Sequence, residues 1–310
     1  METMINDFSV KLKQLNSRRI SLFLLNILVV AAFTVVYFKI AFYLQDHFNI
    51  SGRIVRYGVL PLVYFLYYYL KKKKDAFNRL YDEVIIGDLM HSCYPDWRYD
   101  HEARIDTETV YRSCLVNKGS TMDVMNNISG NIGKTDFDFA EIKILKNQYA
   151  GAHLPKKLFH GYFFIFNNNK YIESRLFVRP RVLKDFGNKD FKEKKIMTDT
   201  SEFDSRFTTF SNDPLKARYI LTPALMARMI DFENKYQDMV SFLFEKDKLY
   251  IAIKGNKNYL EPSLHRRITA DTINKQMDVF ALIGKIVEEL NMGNDIWIKE
   301  NAVQGGVECV

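Results

Sequence analysis

The most apolar stretch of the chain is Ile20–Phe38, 19 consecutive residues without a charge. At about 1.5 Å rise per residue such a helix spans roughly 29 Å, the thickness of a bilayer's hydrocarbon core. Its few polar members are Ser21, Asn26 and Thr34, and Lys39 can snorkel from its far end. A second run, Tyr57–Leu70, has 14 residues and reaches 17 when extended back to Ile54, which takes in Arg56. Pro61 falls in its first third. This predicts a shorter second span, the alternative being a buried or re-entrant segment. Phe77, Leu80, Tyr81, Val84, Ile85 and Leu89 then recur at helical spacing, so a helix continues out of the second run.

Further along, the period shortens to two. Phe137, Phe139, Ile142 and Ile144 are apolar among Asp and Glu and predict a strand after the Asn/Gly cluster Asn126–Lys134. Gly161–Phe166 and Tyr171–Val178, separated by Asn167-Asn168-Asn169-Lys170, predict a hairpin. Met239–Phe244 and Leu249–Ile253, around Glu245-Lys246-Asp247-Lys248, predict another. Arg179–Asp204 is Lys-rich and weakly patterned, a helix-and-loop excursion, and Arg206–Phe210 follows as a strand. Asp213-Pro214 and Thr222-Pro223 each place a capping side chain before a first-turn proline. They predict a short helix handing over to a second, Ala224–Tyr236. Ile273, Met277, Phe280, Ile283, Ile286, Val287 and Leu290 mark an amphipathic helix from Thr269 to Leu290 that ends near Asn291 and Gly293.

The fold class expected is α+β: an N-terminal two-helix transmembrane hairpin, then a mostly antiparallel β domain with packed helices. The expected order is a cytoplasmic segment 1–19, transmembrane helices 20–44 and 54–70 around a short external loop 45–53, and a juxtamembrane helix 71–92. A cytoplasmic α+β domain 93–300 and a flexible tail 301–310 complete it.

Charge sharpens this picture. The net +7 would suggest a nucleic-acid partner if it were spread evenly. Residues 1–74 hold 11 basic and 3 acidic side chains, a net +8, and the remainder hold 33 basic and 34 acidic, a net −1. The excess flanks the apolar runs, and no nucleic acid is expected as a partner. Lys11, Lys13, Arg18 and Arg19 precede the first run, and Lys71, Lys72, Lys73 and Lys74 follow the second. By the positive-inside rule both termini lie in the cytoplasm, which predicts a multi-pass protein of the inner membrane. Tyr64, Tyr67, Tyr68 and Tyr69 sit where an interfacial aromatic belt belongs. The lysine cluster is either a contact to anionic headgroups or a topology signal alone. The first run is too long for the core of a cleaved signal peptide, and no small-x-small site follows it.

Chemical motifs are sparse. Gly133-Lys134-Thr135 imitates the end of a phosphate-binding loop, but the required first glycine is Ile128 and a strand follows, so a β-turn is the better reading. His101-Glu102 lacks its second histidine, because position 105 is Ile105. Cys93, Cys114 and Cys309 make neither a disulfide framework nor a zinc motif. Cys114, read on a helix, is a core thiol. No metal and no cofactor are expected. His160–Ile165 imitates a base-stacking strand but lacks its cation and small residue, and reads as buried. Three polar residues remain as site candidates: Glu141 at the end of a strand-like run, Arg218 on the helix opened by Asp213, and Glu261 before Pro262. A buried Glu141–Arg218 or Glu261–Arg218 pair is the arrangement they suggest.

Several segments together resemble one family. They are Ser129-Gly130-Asn131-Ile132-Gly133 with Thr135–Glu141, Phe159–Phe164, Asp213–Met226, Leu249–Ile253, Leu260–Leu264 and Glu288–Asn291. The chain resembles the bacterial DUF3137 family of uncharacterised membrane-associated proteins over roughly Leu80–Lys299. The resemblance implies paired apolar segments ahead of the domain and no established activity or site. The function expected is a membrane-anchored cytoplasmic domain for protein–protein interaction or scaffolding, with the lipid bilayer and a protein partner or second copy as partners. The alternatives are a small-ligand sensor signalling through the membrane hairpin and an enzyme of unrecognised class.

Overall fold

The computed structural model describes residues 2–48, 52–100, 105–147, 155–182, 193–236, 239–255 and 264–290. Within these, side chains are described except for residues 2–9, 44, 48, 52–60, 62, 89, 168–171, 235–236 and 289. The chain divides into two compact units, Met1–Leu89 with Tyr259–Met277, and Met90–Asn258 with Asp278–Val310.

The first unit is helical. Helix α1 (Glu2–Phe48) contains the charge-free run, and α2 (Gly52–Tyr81) contains Pro61. A π-helical turn (Asp82–Gly87) and α3 (Asp88–Cys93) prolong α2. The apolar spacing read from Phe77 onward is the reason for this extension. Phe77, Tyr81 and Ile85 lie on one face and form a core with Leu15 of α1 and with Leu264, Ile268 and Ile273. Ile273 belongs to α8 (Ala270–Glu289), whose start Thr269 and Thr272 cap reciprocally through their hydroxyls. Polar contacts pin the preceding loop to α1. Asn16 Nδ2 donates to the Ile268 carbonyl at 2.9 Å and its Oδ1 accepts from Ile268 N at 3.0 Å. Gln276 Nε2 donates to the Tyr81 hydroxyl at 2.7 Å. Burial pushes the Tyr81 phenol above its ordinary pKa, against the opposing pull of that hydrogen bond.

Beyond this core α1 changes character. Among the described residues one helix is long and apolar enough to cross a membrane, Val10–His47, and its most apolar part is not buried at all. Leu24, Leu28, Val35 and Phe38 are all more than half exposed. The half-covered positions Phe23, Asn26, Val29, Phe33, Tyr37 and Ala41 recur at helical spacing as one stripe. One apolar helix of membrane-crossing length is therefore present among the described residues, and the expected two-helix hairpin is not shown.

The second unit is an antiparallel sheet of seven strands with helices packed on it. Its elements are β1 (Arg98–Asp100), α4 (Thr107–Arg112), β2 (Thr121–Ile132), β3 (Thr135–Lys146), β4 (Lys156–Pro180) and β5 (Lys194–Ile196). Then follow α5 (Ser201–Arg206), β6 (Phe207–Ser211), α6 (Pro214–Ile220), α7 (Pro223–Tyr236) and β7 (Met239–Lys254). The order is β1-β2-β3-β4-β6-β5, with β7 also paired to β4. The β2–β3 turn is Gly133-Lys134, with Gly133 at φ +62°. That settles the phosphate-loop imitation as a hairpin turn. Asp213 caps α6 by accepting from Leu215 N and Lys216 N, as its Asp-Pro signal predicts. Cys114 lies past the end of α4, at φ +56°, rather than on a helix.

The two hairpins predicted at 161–178 and 239–253 do not form. β4 and β7 are each continuous and pair with one another along their length. The polar tracts read as turns lie opposite each other: Asn167 pairs with Lys248 and Ile172 with Lys246. Between these pairs β4 advances five residues and β7 two, so the excess is absorbed as a bulge, with Lys246 at φ +57°. β3 pairs with the first half of β4 and β6 with the second. On one face Ile142, Ile144, Phe163, Phe177, Leu243 and Ala252 pack under Val110, Leu115 and Val116. Phe159, Phe163, Phe164 and Phe166 are fully buried, as the strand reading of His160–Ile165 requires.

Gly161 makes the pairing close. A Cβ there would lie 2.0 Å from the Ile253 carbonyl oxygen. Gly161→Ala is expected to lower stability by about 1–3 kcal/mol, through overpacking against a backbone atom. Gly255→Ala, where a Cβ meets nothing within 4 Å among the described residues, serves as the control. Chemical denaturation measures both, and an unshifted midpoint for Gly161→Ala would contradict the β4–β7 register.

Candidate functional site

Glu141 ends the alternation of Phe137 and Phe139 on β3 and points into the covered aromatic face, 1% exposed. A carboxylate held there needs donors. His160 Nε2 on β4 lies 2.9 Å from Glu141 Oε1, and Asn126 Nδ2 on β2 donates to Oε2 at 3.0 Å. Asn126 Oδ1 in turn accepts from the Tyr99 hydroxyl on β1 at 3.0 Å. Four neighbouring strands thus contribute one side chain each to a buried chain of hydrogen bonds. Asn126 reaches its place through a bulge between Met125 and Ile128, at φ +53°. Both Glu141 oxygens are engaged by protein donors, which makes this network a clasp across the sheet.

The Glu141–Arg218 pair does not form. Arg218 is exposed on α6 and lies 3.8 Å from Asp199, itself exposed. Strand alternation buries Glu141, whereas the helix that carries Arg218 turns it outward. Glu261 lies outside the described residues.

A second polar node, not singled out by the sequence reading, gathers around Arg175 near the bulge of β4. Its Nε lies 2.7 Å from Glu245 Oε1 on β7 and its Nη1 3.2 Å from Glu193 Oε1. Nη2 donates to the Arg112 carbonyl at the end of α4 at 3.1 Å, and the guanidinium covers the Phe177 ring at 4.8 Å. Its backbone N–H donates to Asn212, and its carbonyl accepts from the Ser211 hydroxyl at the start of the α6 turn. The sequence signal was present: Arg175 and Glu245 each interrupt an apolar strand. Cys114 stands beside this node. Burial pushes its thiol up, and Arg175 pulls it back. Burial also raises the Tyr250 phenol, with Glu245 adding to the effect.

The residues expected at a membrane interface are all exposed. Tyr67, Tyr68 and Tyr69 on α2 are exposed, as are Lys71, Lys72, Lys73 and Lys74. In the second unit Leu215 and Tyr219, one turn apart on α6, are 73% and 80% exposed.

Residues 157–292 match the family model described as a protein of unknown function, DUF3137. The chain resembles the DUF3137 family. The matched stretch is narrower than Leu80–Lys299. It contains His160, Arg175, Arg218 and all of Asp213–Met226, and leaves out Glu141. No curated protein matches the chain. Among solved structures, the mycobacterial trehalose monomycolate transport factor A, TtfA, is similar at 9% identity, over 66% of this chain and 95% of that chain, with a TM-score of 0.35.

Glu141→Ala is expected to cost about 3–5 kcal/mol, because it strands Asn126 and His160 in the interior. Glu141→Gln, which keeps the shape and one acceptor, should cost clearly less. Denaturant midpoints of the two variants check the ordering, and equal midpoints would remove the clasp as a source of stability.

Proposed function

We propose that this chain is a multi-pass protein of the inner membrane, with both termini in the cytoplasm, whose β-rich domain serves protein–protein interaction or scaffolding at the membrane surface. The observation that carries the reading is the uncovered apolar surface of α1. A dozen large apolar side chains between Ile20 and Tyr43 are exposed. Each forgoes about 1.5–3 kcal/mol if left fully in water. Half-exposed as they are, together they forgo on the order of 10–20 kcal/mol, as much as the whole stability of an ordinary domain. Lipid is the solvent that removes this cost.

Support for a second span in α2 comes from three features. The half-covered stripe along α1 is what a neighbouring helix in the bilayer would need. Phe77 and Tyr81 near the end of α2 pack with Leu15 near the start of α1. The four lysines after Leu70 would stop the second span at the cytoplasmic face. The interaction role draws support from Leu215 and Tyr219, a small apolar face on a capped helix beside the charged Arg175 node.

Orientation is tested with Cys93, which is exposed, in a chain carrying Cys114→Ser and Cys309→Ser. A membrane-impermeant maleimide should label it only after the cells are permeabilised; labelling of intact cells would place the domain outside. The interaction role is tested by a photo-crosslinking amino acid at Leu215. A discrete protein adduct, with a second copy or another protein, is expected in native membranes. Absence of any adduct at Leu215 and Tyr219 would remove this face from the reading.

A further inference from the structure

Where α1 is about to enter its charge-free run, it borders a groove of about 750 Å³ with the loop before α8. Lys13, Arg19 and Arg267 line it, together with the hydroxyls of Ser17, Ser21 and Thr269. No carboxylate is among the described residues of its wall. Arg19 is 9% exposed, and its Nη1 donates to the Leu264 carbonyl at 2.8 Å. Its buried Nε–H has no hydrogen-bond partner among the described residues. A buried guanidinium with an unused donor calls for an acceptor, ideally an anion that binds in a forked geometry. The 20-residue helix α8 starts at the same wall, at Ala270, and a helix N-terminus favours negative charge.

The groove also has an apolar exit. Ile20 lines it, and Leu24 and Leu28 continue from Ile20 along α1 at one-turn intervals, 57% and 66% exposed. A cationic cavity joined to an apolar stripe has the two-part chemistry of a phospholipid: phosphate in the groove, acyl chain along the helix. Arg19 is the last charge before the apolar run, so the groove sits at headgroup depth when α1 spans the bilayer.

We propose that this groove is a binding site for the phosphodiester headgroup of an anionic phospholipid, held by Arg19, Arg267 and Lys13. The site rests on the membrane reading of α1 and gives the helical unit a lipid preference that a plain anchor lacks. Arg19 supplies the buried donor, while Arg267 and Lys13 supply charge at the mouth.

The test uses the full chain reconstituted into bilayer discs of phosphatidylcholine with a minor share of phosphatidylglycerol. Lipids retained after gentle release are counted by native mass spectrometry. Retention of phosphatidylglycerol above its share in the disc is expected. The double variant Arg267→Gln with Lys13→Gln, both exposed positions, should weaken retention about thirtyfold, at the scale of surface charges on anionic lipid. Arg19→Gln should abolish it, with circular dichroism confirming helicity. Neutralising Lys71–Lys74 to Gln should leave it intact. An equal loss in that variant would mean unspecific attraction and overturn the site. Displacement of the lipid by inorganic phosphate would assign the groove to a soluble anion instead. A chain that enters the discs but retains no excess phosphatidylglycerol refutes the site alone; a chain that fails to enter them refutes the membrane reading.

Discussion

The helical unit is organised around a constraint on α1: most of its central apolar surface has no protein to bury against among the described residues. A helix that is apolar on all sides has only two stable surroundings, a protein core and a lipid core. Most of the large side chains from Leu24 to Phe42 lie open, so the first of these is not provided within the described chain. The polar chemistry of the first unit sits at the border of that surface. Asn16 and Arg19 fasten the loop before α8 immediately ahead of the apolar run, and Tyr81 and Gln276 close the small core behind them. The basic excess of the chain belongs to this border too, which is why the net charge carries no information about the second unit.

The second unit solves a different problem. Its two longest strands pair from Gly161–Lys254 to Val178–Phe242, and their polar interruptions coincide. A bulge accommodates the asparagine tract, and β3 and β6 take separate halves of β4. Arg175 ties β7, Glu193 and the end of α4 together beside that irregularity. Glu141 and His160 do similar work across β1 to β4. Both networks are largely enclosed, and each charged group in them meets opposite charge or a donor, which is the condition under which buried charge is tolerated.

Local signals in the sequence translated well into structure. Asp213-Pro214 and Thr222-Pro223 start α6 and α7, Gly133 makes the turn into β3, and the alternation around Phe137 and Phe139 gives that strand. Each is decided within a few residues. The failures came where distant segments decide. Asn167–Lys170 and Glu245–Lys248 have turn composition, yet each lies against the other's strand, and pairing prevails over local preference. Glu141 was legible as a polar residue in an apolar strand, but its partner His160 follows from register, not from spacing. The distinctive segment around Arg218 carries no signal of which way that side chain faces, and helix geometry turns it out. The groove at Arg19 was invisible for the same reason, since its walls are 245 or more residues apart in sequence.

The surroundings of α1 are therefore decisive. The most direct measurement is a nitroxide scan from Ile20 to Phe38 in lipid bilayers, comparing relaxation by oxygen with relaxation by a water-soluble nickel complex. Exclusion of nickel along the whole run is predicted, with high oxygen access at Leu24, Leu28 and Val35 and lower access along Phe23, Asn26, Val29, Phe33 and Tyr37. Nickel access at Leu24, Leu28 and Val35 would place that face in water and contradict the account.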